Sequence, residues 1–164
     1  MTLVVPFDGS ELSKAALVRA AQFSAVFETP LLAVSVIPHQ NRDYARERGW
    51  IGPNDPYDSD AIVEKIAAMV DTIAPNATFD AQFVGRYAPA GSIGNKLRRA
   101  AREADASIVF VGSKNAGRIA SSLSVGSSIA SERSYDTMIV SQLAPSNIET
   151  LEQAVPTTEA GFEE

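Results

Sequence analysis

Short apolar runs and helical stripes alternate along the first 141 residues of the chain. The runs are nearly continuous in apolar residues, as strands covered on both faces require, and LLAVSVI at 31–37 is the clearest. Between them apolar residues recur every three or four positions, the spacing of a helix with one buried face. The pattern predicts five strands, at residues 2–6, 31–37, 78–84, 107–111 and 137–141.

Local signals predict where the intervening helices begin. Ser10 is the expected N-cap of the first helix, because its hydroxyl can accept an unpaired N–H of the first turn. Ser59 or Asp60 is the expected cap of the second helix, and Pro89 is expected to open the third. The helices are predicted over residues 12–27, 62–73, 89–104 and 127–134.

The order of these elements, strand and helix in strict alternation, indicates the fold class. Crossovers between parallel strands are right-handed, so the order predicts a single doubly wound α/β domain with helices on both faces of a parallel sheet. The domain is expected to span residues 1–141. Residues 142–164 contain five glutamates and no lysine or arginine, and we expect an acidic, mobile C-terminal tail.

Residues 38–58 interrupt the alternation. The segment is polar, is rich in proline and glycine, and contains three aromatic residues, Tyr44, Trp50 and Tyr57. At most one helical turn is expected, at 42–48. A loop of this length in a compact domain usually has a function. Two interpretations stay open: the segment folds over a ligand as a lid, or Trp50 packs on the flank of its own domain.

Composition and charge exclude several classes of function. The chain has no cysteine and one histidine, His39, which excludes disulfides, thiol catalysis, zinc fingers and iron–sulfur clusters. The net charge is −6, with no basic stripe for nucleic acid. No apolar run approaches the roughly 20 residues that span a bilayer, and no signal peptide is recognisable. We therefore predict a cytoplasmic protein without nucleic-acid or membrane partners.

Candidate chemistry gathers where the predicted strands end, because open α/β sheets bind ligands beyond the carboxyl ends of their strands. The Asp8 carboxylate could accept from a ribose hydroxyl or adenine, could ligate Mg²⁺, or could simply cap a turn. The loop from Gly112 to Ser128 combines glycines, serines and Lys114, which suits phosphate contact. The alternative for this loop is an ordinary connection.

Other nucleotide and catalytic motifs do not fit. Gly112 and Gly117 have P-loop spacing, but Arg118 and Ile119 stand where a P-loop has lysine and serine or threonine. No Gly-x-Gly-x-x-Gly turn is present. His39 lacks a serine and acid partner that would make a catalytic triad.

Three segments of the chain carry a family resemblance. They are LVVPFDGSE-x-S-x-x-AL at 3–17, G-x-x-APA-x-x-I at 85–93 and IVFVGSK at 108–114. Over residues 1–141 the chain resembles the universal stress protein family. The resemblance implies a five-stranded parallel sheet of order 3-2-1-4-5 and a homodimer through the last strand, from Thr137 to Ser141.

Members of that family divide into ATP binders and non-binders, and the binders share Gly-x2-Gly-x9-Gly-[Ser/Thr] after the fourth strand. Asn115 stands at the second glycine position here, and the gap to Gly126 is one residue longer, while Gly117 adds backbone freedom nearby. The resemblance implies these candidate nucleotide-binding residues: Pro6, Asp8, Val36, Ile37, Gly112, Lys114, Asn115, Gly117, Gly126, Ser127 and Ser128.

Three functions follow as hypotheses. The first is a stress-response or regulatory protein that binds ATP or AMP, with Mg²⁺ as a candidate companion ion and at most slow, incidental ATP hydrolysis. The second is a nucleotide-free dimeric module of the same fold that binds an unidentified protein partner. The third, a nucleotide hydrolase or adenylyl-transferring enzyme, ranks last because no nucleophile with an activating base is evident.

Overall fold

The computed structural model describes residues 1–89, 91–114 and 134–143 of the 164-residue chain. Nine elements follow one another in this part of the protein. They are β1 (Thr2–Pro6), α1 (Glu11–Phe27), β2 (Leu31–Pro38), α2 (Arg42–Glu47), α3 (Ser59–Ile73), β3 (Thr78–Val84), α4 (Ser92–Glu103), β4 (Ala106–Gly112) and β5 (Asp136–Val140). No helix in these residues is long and apolar enough to cross a membrane.

The five strands form one parallel sheet in the order β3-β2-β1-β4-β5. Leu3 pairs with Leu31 at the centre, and β3 and β5 form the two edges. The predicted doubly wound α/β fold and its strand order 3-2-1-4-5 are therefore confirmed. The order in which successive strands are added reverses between β1 and β4, and the carboxyl ends of β1, β2 and β4 lie beside one another at this switch point.

Apolar cores fill both faces of the sheet. One cluster lies under α1 and α3, where Leu17, Ile62 and Phe110 are fully buried. The other lies under α4, where Val34 and Leu97 pack together. The strands need apolar side chains on both faces for this arrangement, which explains the continuous apolar runs in their sequences.

The helix starts agree only in part with the sequence predictions. Ser10 caps α1 as predicted, its hydroxyl accepting from the Ser13 N–H at 3.3 Å. The predicted cap of α3 was wrong: Asp58 is the cap and accepts from the N–H groups of residues 60 and 61. Asp58 has the extended backbone of an N-cap, whereas residues 59 and 60 are already helical.

The predicted start of the third helix at Pro89 was also wrong. The helix, α4, begins at Ser92, after Gly91 with φ +90°. A residue with a left-handed backbone cannot be part of a right-handed helix, so α4 cannot extend through Gly91 towards Pro89. Residues 85–89 contain a turn instead. The single helical turn expected near 42–48 is present as α2. Most of the helix predicted at 127–134, and most of the acidic tail, lies outside the described residues.

Candidate functional site

The turn after β1 shows a structural role for Asp8. Its Oδ1 accepts the Ser10 N–H at 2.9 Å, and Gly9 takes φ +81° to turn the chain into α1. Asp8 therefore does support the turn, as the simpler sequence interpretation proposed. Its side chain is still 26% exposed, which leaves part of the carboxylate open to a ligand.

Arg48 faces the other oxygen of this carboxylate, with its Nε 3.9 Å from Asp8 Oδ2. The guanidinium lies 3.4 Å above the centre of the Tyr44 ring, a cation–π contact. Burial, the largest single influence, raises the pKa of Asp8. Hydrogen bonds from Ser10 and Ser13 and the charge of Arg48 together outweigh it and lower the pKa below its ordinary value, so the carboxylate is ionised at neutral pH.

Trp50 links the 38–58 segment to the same turn. The indole is 4% exposed, and its Nε1–H donates to the Asp8 backbone carbonyl at 2.8 Å. It packs into the core cluster under α1 and α3, with the Tyr44 ring 5.6 Å away. Trp50 thus packs on the flank of its own domain, the second of the two interpretations. A response of this segment to ligand stays a prediction.

A small crevice lies beside Asp8, and we name it the Asp8 crevice. Its volume is about 30 Å³, the room of about one water molecule. It brings together three of the candidate residues, Pro6, Asp8 and Val36, with Tyr44 and Ile93 from α2 and α4. The Ile37 side chain is not part of it, because the next residue along a strand points to the opposite face. Ile37 is fully buried in the cluster under α1 and α3.

The candidate residues at the end of β4 are only partly described. Gly112 is buried, and a Cβ there would lie 2.9 Å from Cβ of Leu12 on α1. This glycine is therefore needed for helix packing, a role that the motif did not indicate. Lys114 is exposed just beyond the strand. The remaining candidates, Asn115, Gly117, Gly126, Ser127 and Ser128, lie outside the described residues.

A larger cavity of about 440 Å³ adjoins the crevice, and we name it the Arg86 cavity. It lies between the ends of β2 and β3, helix α2 and the start of α4. Asn41 closes one side by donating from Nδ2 to the Arg86 carbonyl at 3.0 Å. Tyr44 and Ile93 line both the cavity and the Asp8 crevice, so the two spaces are neighbours. Its lining includes Pro38, Tyr44, Val84, Arg86, Ile93 and Arg98.

The sequence predictions did not include Arg86 or Arg98 among the site residues, and Tyr44 entered them only as one of the three aromatic residues of the 38–58 segment. The segment at 85–93 carries part of the family resemblance, but nothing local indicated that Arg86 would share a cavity with Arg98, from the second turn of α4. Among the described residues, no group of three or more His, Cys, Asp or Glu side chains could hold a metal ion.

The model of the universal stress protein family matches residues 1–140. The chain belongs to the universal stress protein family. The resemblance seen in the sequence is therefore confirmed. No curated protein matches the chain.

Solved structures of other universal stress proteins share the fold. One in complex with cAMP is 24% identical, with a TM-score of 0.50, covering 88% of this chain and 98% of that chain. One from Archaeoglobus fulgidus is 15% identical, with a TM-score of 0.50, covering 85% and 93%. A structure from the same organism in complex with dAMP is 14% identical, with a TM-score of 0.47, covering 85% and 95%.

Proposed function

We propose that this universal stress protein is a regulatory, stress-response protein that binds an adenine nucleotide, ATP or AMP, at the ends of β1 and β2. One observation carries the proposal: an ionised, partly exposed carboxylate, Asp8, stands at the switch point beside the apolar wall of Pro6 and Val36. Ribose hydroxyls can donate to such a carboxylate, and a purine can pack on such a wall.

The neighbouring strands suggest how the nucleotide lies. Tyr44 and Ile93 extend the apolar wall from the Asp8 crevice into the Arg86 cavity, which has room for a base that the crevice alone lacks. On the other side of Asp8, Gly112 and Lys114 end β4 and begin the segment proposed to hold the phosphates. Mg²⁺ enters the proposal as a companion of the ATP phosphates.

Catalysis is proposed to be absent or slow and incidental. The side chains around the Asp8 carboxylate are Ser10, Ser13 and Arg48, which hold it ionised and in place. The His39 ring packs edge-on against Tyr57 and Phe83, with centroids 6.3 and 6.0 Å away. Release of phosphate from ATP by the purified protein, at a rate that Asp8→Ala abolishes, would contradict this part of the proposal.

Titration calorimetry with AMP, with ATP in the presence and absence of Mg²⁺, and with cAMP tests the binding. Asp8→Asn keeps an oxygen for the Ser10 N–H but loses the charge, and we expect at least about ten-fold weaker nucleotide binding, or about 1.4 kcal/mol. Asp80→Asn is the matched control, because Asp80 is an exposed carboxylate on the edge strand β3. Equal affinity in both variants would show that Asp8 does not contact the ligand.

The second candidate function, a nucleotide-free interaction module, has one observation in its favour. Arg48 already supplies a cationic partner to Asp8, so the carboxylate is neutralised without a ligand. A native mass spectrum of gently purified protein separates the two candidates. Retained nucleotide supports the first, and none, together with no calorimetric signal, supports the second.

A homodimer through β5 is part of the proposal. Among the described strands β5 is at an edge of the sheet, and an unpaired edge is a template for pairing with another chain. Ile139 on β5 is 53% exposed, whereas Met138 packs against the core. We therefore expect two β5 strands to meet antiparallel, with Ile139 at the contact. The cytoplasmic location of the protein stays a prediction.

A further inference from the structure

Arg48 lies beside Asp8 without a direct hydrogen bond to it. Its Nε is 3.9 Å from Asp8 Oδ2, whereas hydrogen bonds between nitrogen and oxygen are about 2.7–3.2 Å long. The same Nε is buried and has no hydrogen-bond partner in the described part of the chain. A buried donor without an acceptor is unfavourable, so this nitrogen would gain from an oxygen that a ligand supplies.

The 38–58 segment keeps the guanidinium at this distance. Arg48 directly follows α2, and its guanidinium carbon lies 3.4 Å from the centre of the Tyr44 ring, one helical turn earlier. Tyr44 in turn packs against the buried indole of Trp50, with the ring centroids 5.6 Å apart. The cation–π contact holds the guanidinium on the ring and competes with a shorter contact to Asp8.

The two side chains have opposite hydrogen-bonding capacities. The Asp8 carboxylate is ionised and can only accept, whereas the Arg48 guanidinium can only donate. Part of each side chain is open to the surface, 26% for Asp8 and 22% for Arg48. A ligand group that contacts both side chains must therefore donate to Asp8 and accept from Arg48.

A hydroxyl group meets both requirements, because its oxygen carries one donor and also accepts. An ionised phosphate has no proton to donate and is repelled by Asp8, and a protonated amine cannot accept and is repelled by Arg48. The adenine edge also carries a donor and an acceptor, but the proposed function places the base against the apolar wall and the ribose at Asp8. The pair is therefore suited to the hydroxyls of the sugar.

We propose that Arg48 is a specificity-determining residue of the nucleotide site: together with Asp8 it binds a hydroxyl of the ribose and so selects ribonucleotides over deoxyribonucleotides. The hydroxyl donates to the Asp8 carboxylate and accepts from the Arg48 guanidinium. The inference rests on the proposed function, because it concerns the selectivity of the same site. A deoxyribose leaves both charged groups without their shared partner, and a site built to bind a hydroxyl group rejects an analogue that lacks it.

Calorimetry with AMP, 2′-deoxy-AMP and 3′-deoxy-AMP, at one fixed salt concentration, tests the proposal. We expect at least one of the two deoxy analogues to bind at least about ten-fold more weakly than AMP, and that analogue identifies the hydroxyl. Arg48→Met removes the donors and keeps an unbranched apolar side chain beside the Tyr44 ring. It should weaken AMP binding to about the level of that analogue and leave the affinity for the analogue itself nearly unchanged.

Arg46→Met is the matched control. Arg46 belongs to the same segment, and its Nε is likewise buried without a hydrogen-bond partner among the described residues. Its guanidinium, however, faces the exposed Asp43, with Nη1 3.8 Å from Oδ1, instead of Asp8. Arg46→Met therefore removes the same charge two residues away and should leave the ratio of the AMP and deoxy-AMP affinities as it is in the wild-type protein.

The outcomes separate this inference from the proposed function. If both deoxy analogues bind the wild-type protein as tightly as AMP, Arg48 does not select the sugar, and the inference is wrong while the proposed function stands. The same holds if Arg48→Met weakens all three ligands equally, or if Arg46→Met also removes the discrimination. If AMP does not bind the wild-type protein, the proposed function fails and takes the inference with it.

Discussion

Replacing Trp50 by phenylalanine tests how the 38–58 segment is fixed to the site. The indole N–H donates to the Asp8 carbonyl at 2.8 Å, and the ring is 4% exposed. Phenylalanine retains most of the apolar contact but cannot donate. The carbonyl at the end of β1 would therefore lose the hydrogen bond that joins it to the segment.

A buried acceptor left without a partner costs about 1–3 kcal/mol, and the bond from Trp50 to the Asp8 carbonyl is partly buried. The smaller ring also leaves unfilled space in the cluster under α1 and α3, which adds about 1 kcal/mol. We expect Trp50→Phe to lower the free energy of unfolding by about 2–4 kcal/mol, which a domain of ordinary stability, about 5–15 kcal/mol, survives in folded form.

Urea unfolding followed by far-ultraviolet circular dichroism measures the change without relying on the lost tryptophan. Tyr57→Phe is the matched control, because it removes a longer hydrogen bond, 3.3 Å to the Pro38 carbonyl, from the same segment at a less buried ring. We expect the control to cost about 1 kcal/mol or less. A loss for Trp50→Phe no larger than that of Tyr57→Phe would refute the reasoning that this bond anchors the segment.

The effect on ligand binding follows from the same contact. Trp50 holds the backbone of Asp8, and Tyr44 and Arg48 belong to the segment that it anchors. A loosened segment would lose part of the order that the binding wall needs, so the affinity for AMP should fall in Trp50→Phe under conditions where the variant is fully folded. Unchanged AMP affinity in a destabilised variant would show that the segment stabilises the fold without shaping the site.

Three further predictions concern stability and assembly. The pKa of Asp8 is lowered in the folded state, so the carboxylate contributes to the free energy of unfolding above the ordinary aspartate pKa of about 3.9, and this contribution is lost as the pH falls through the lowered value. Asp8→Asn should therefore make the free energy of unfolding less sensitive to acid in that range, and an unchanged pH profile would contradict this. Gly112→Ala should lower the free energy of unfolding by about 1–3 kcal/mol, because the added Cβ would meet Leu12. Gly85→Ala, whose Cβ would face open space, should lower it by less than about 0.5 kcal/mol, and equal urea midpoints for the two variants would contradict this. Ile139→Lys should convert the proposed dimer to monomer in light scattering at micromolar concentration, and a dimer that persists would exclude β5 as the contact.

The sequence by itself determined the fold class, the strand positions and several local features. Each of the apolar runs became a strand within one or two residues, because a buried parallel strand needs apolar residues on both faces. The Ser10 cap was also predictable, because it is a local contact: the Ser10 hydroxyl accepts from the N–H of Ser13, three residues further along the chain. Short motifs around the strand ends indicated the family, and the resemblance to that family implied the strand order.

Only the tertiary structure decided what surrounds Asp8. Arg48 and Trp50 are 40 and 42 residues away in the sequence, and no local pattern connects them to the turn after β1. Even the cap of α3 depended on which of three adjacent polar residues took an extended backbone, a choice that propensity alone leaves open.

The Arg86 cavity is the feature of the site that was least predictable from the sequence. The basic residues of 84–103 are visible in the sequence, but a helix with this many charges is equally consistent with a plain solvated face. Arg86 and Arg98 share a cavity because β3 lies at the edge of the sheet and α4 crosses back over it, next to α2. Local pattern reports the preferences of single segments, whereas a binding site is made where segments distant in sequence are packed against one another, and that packing depends on the whole chain.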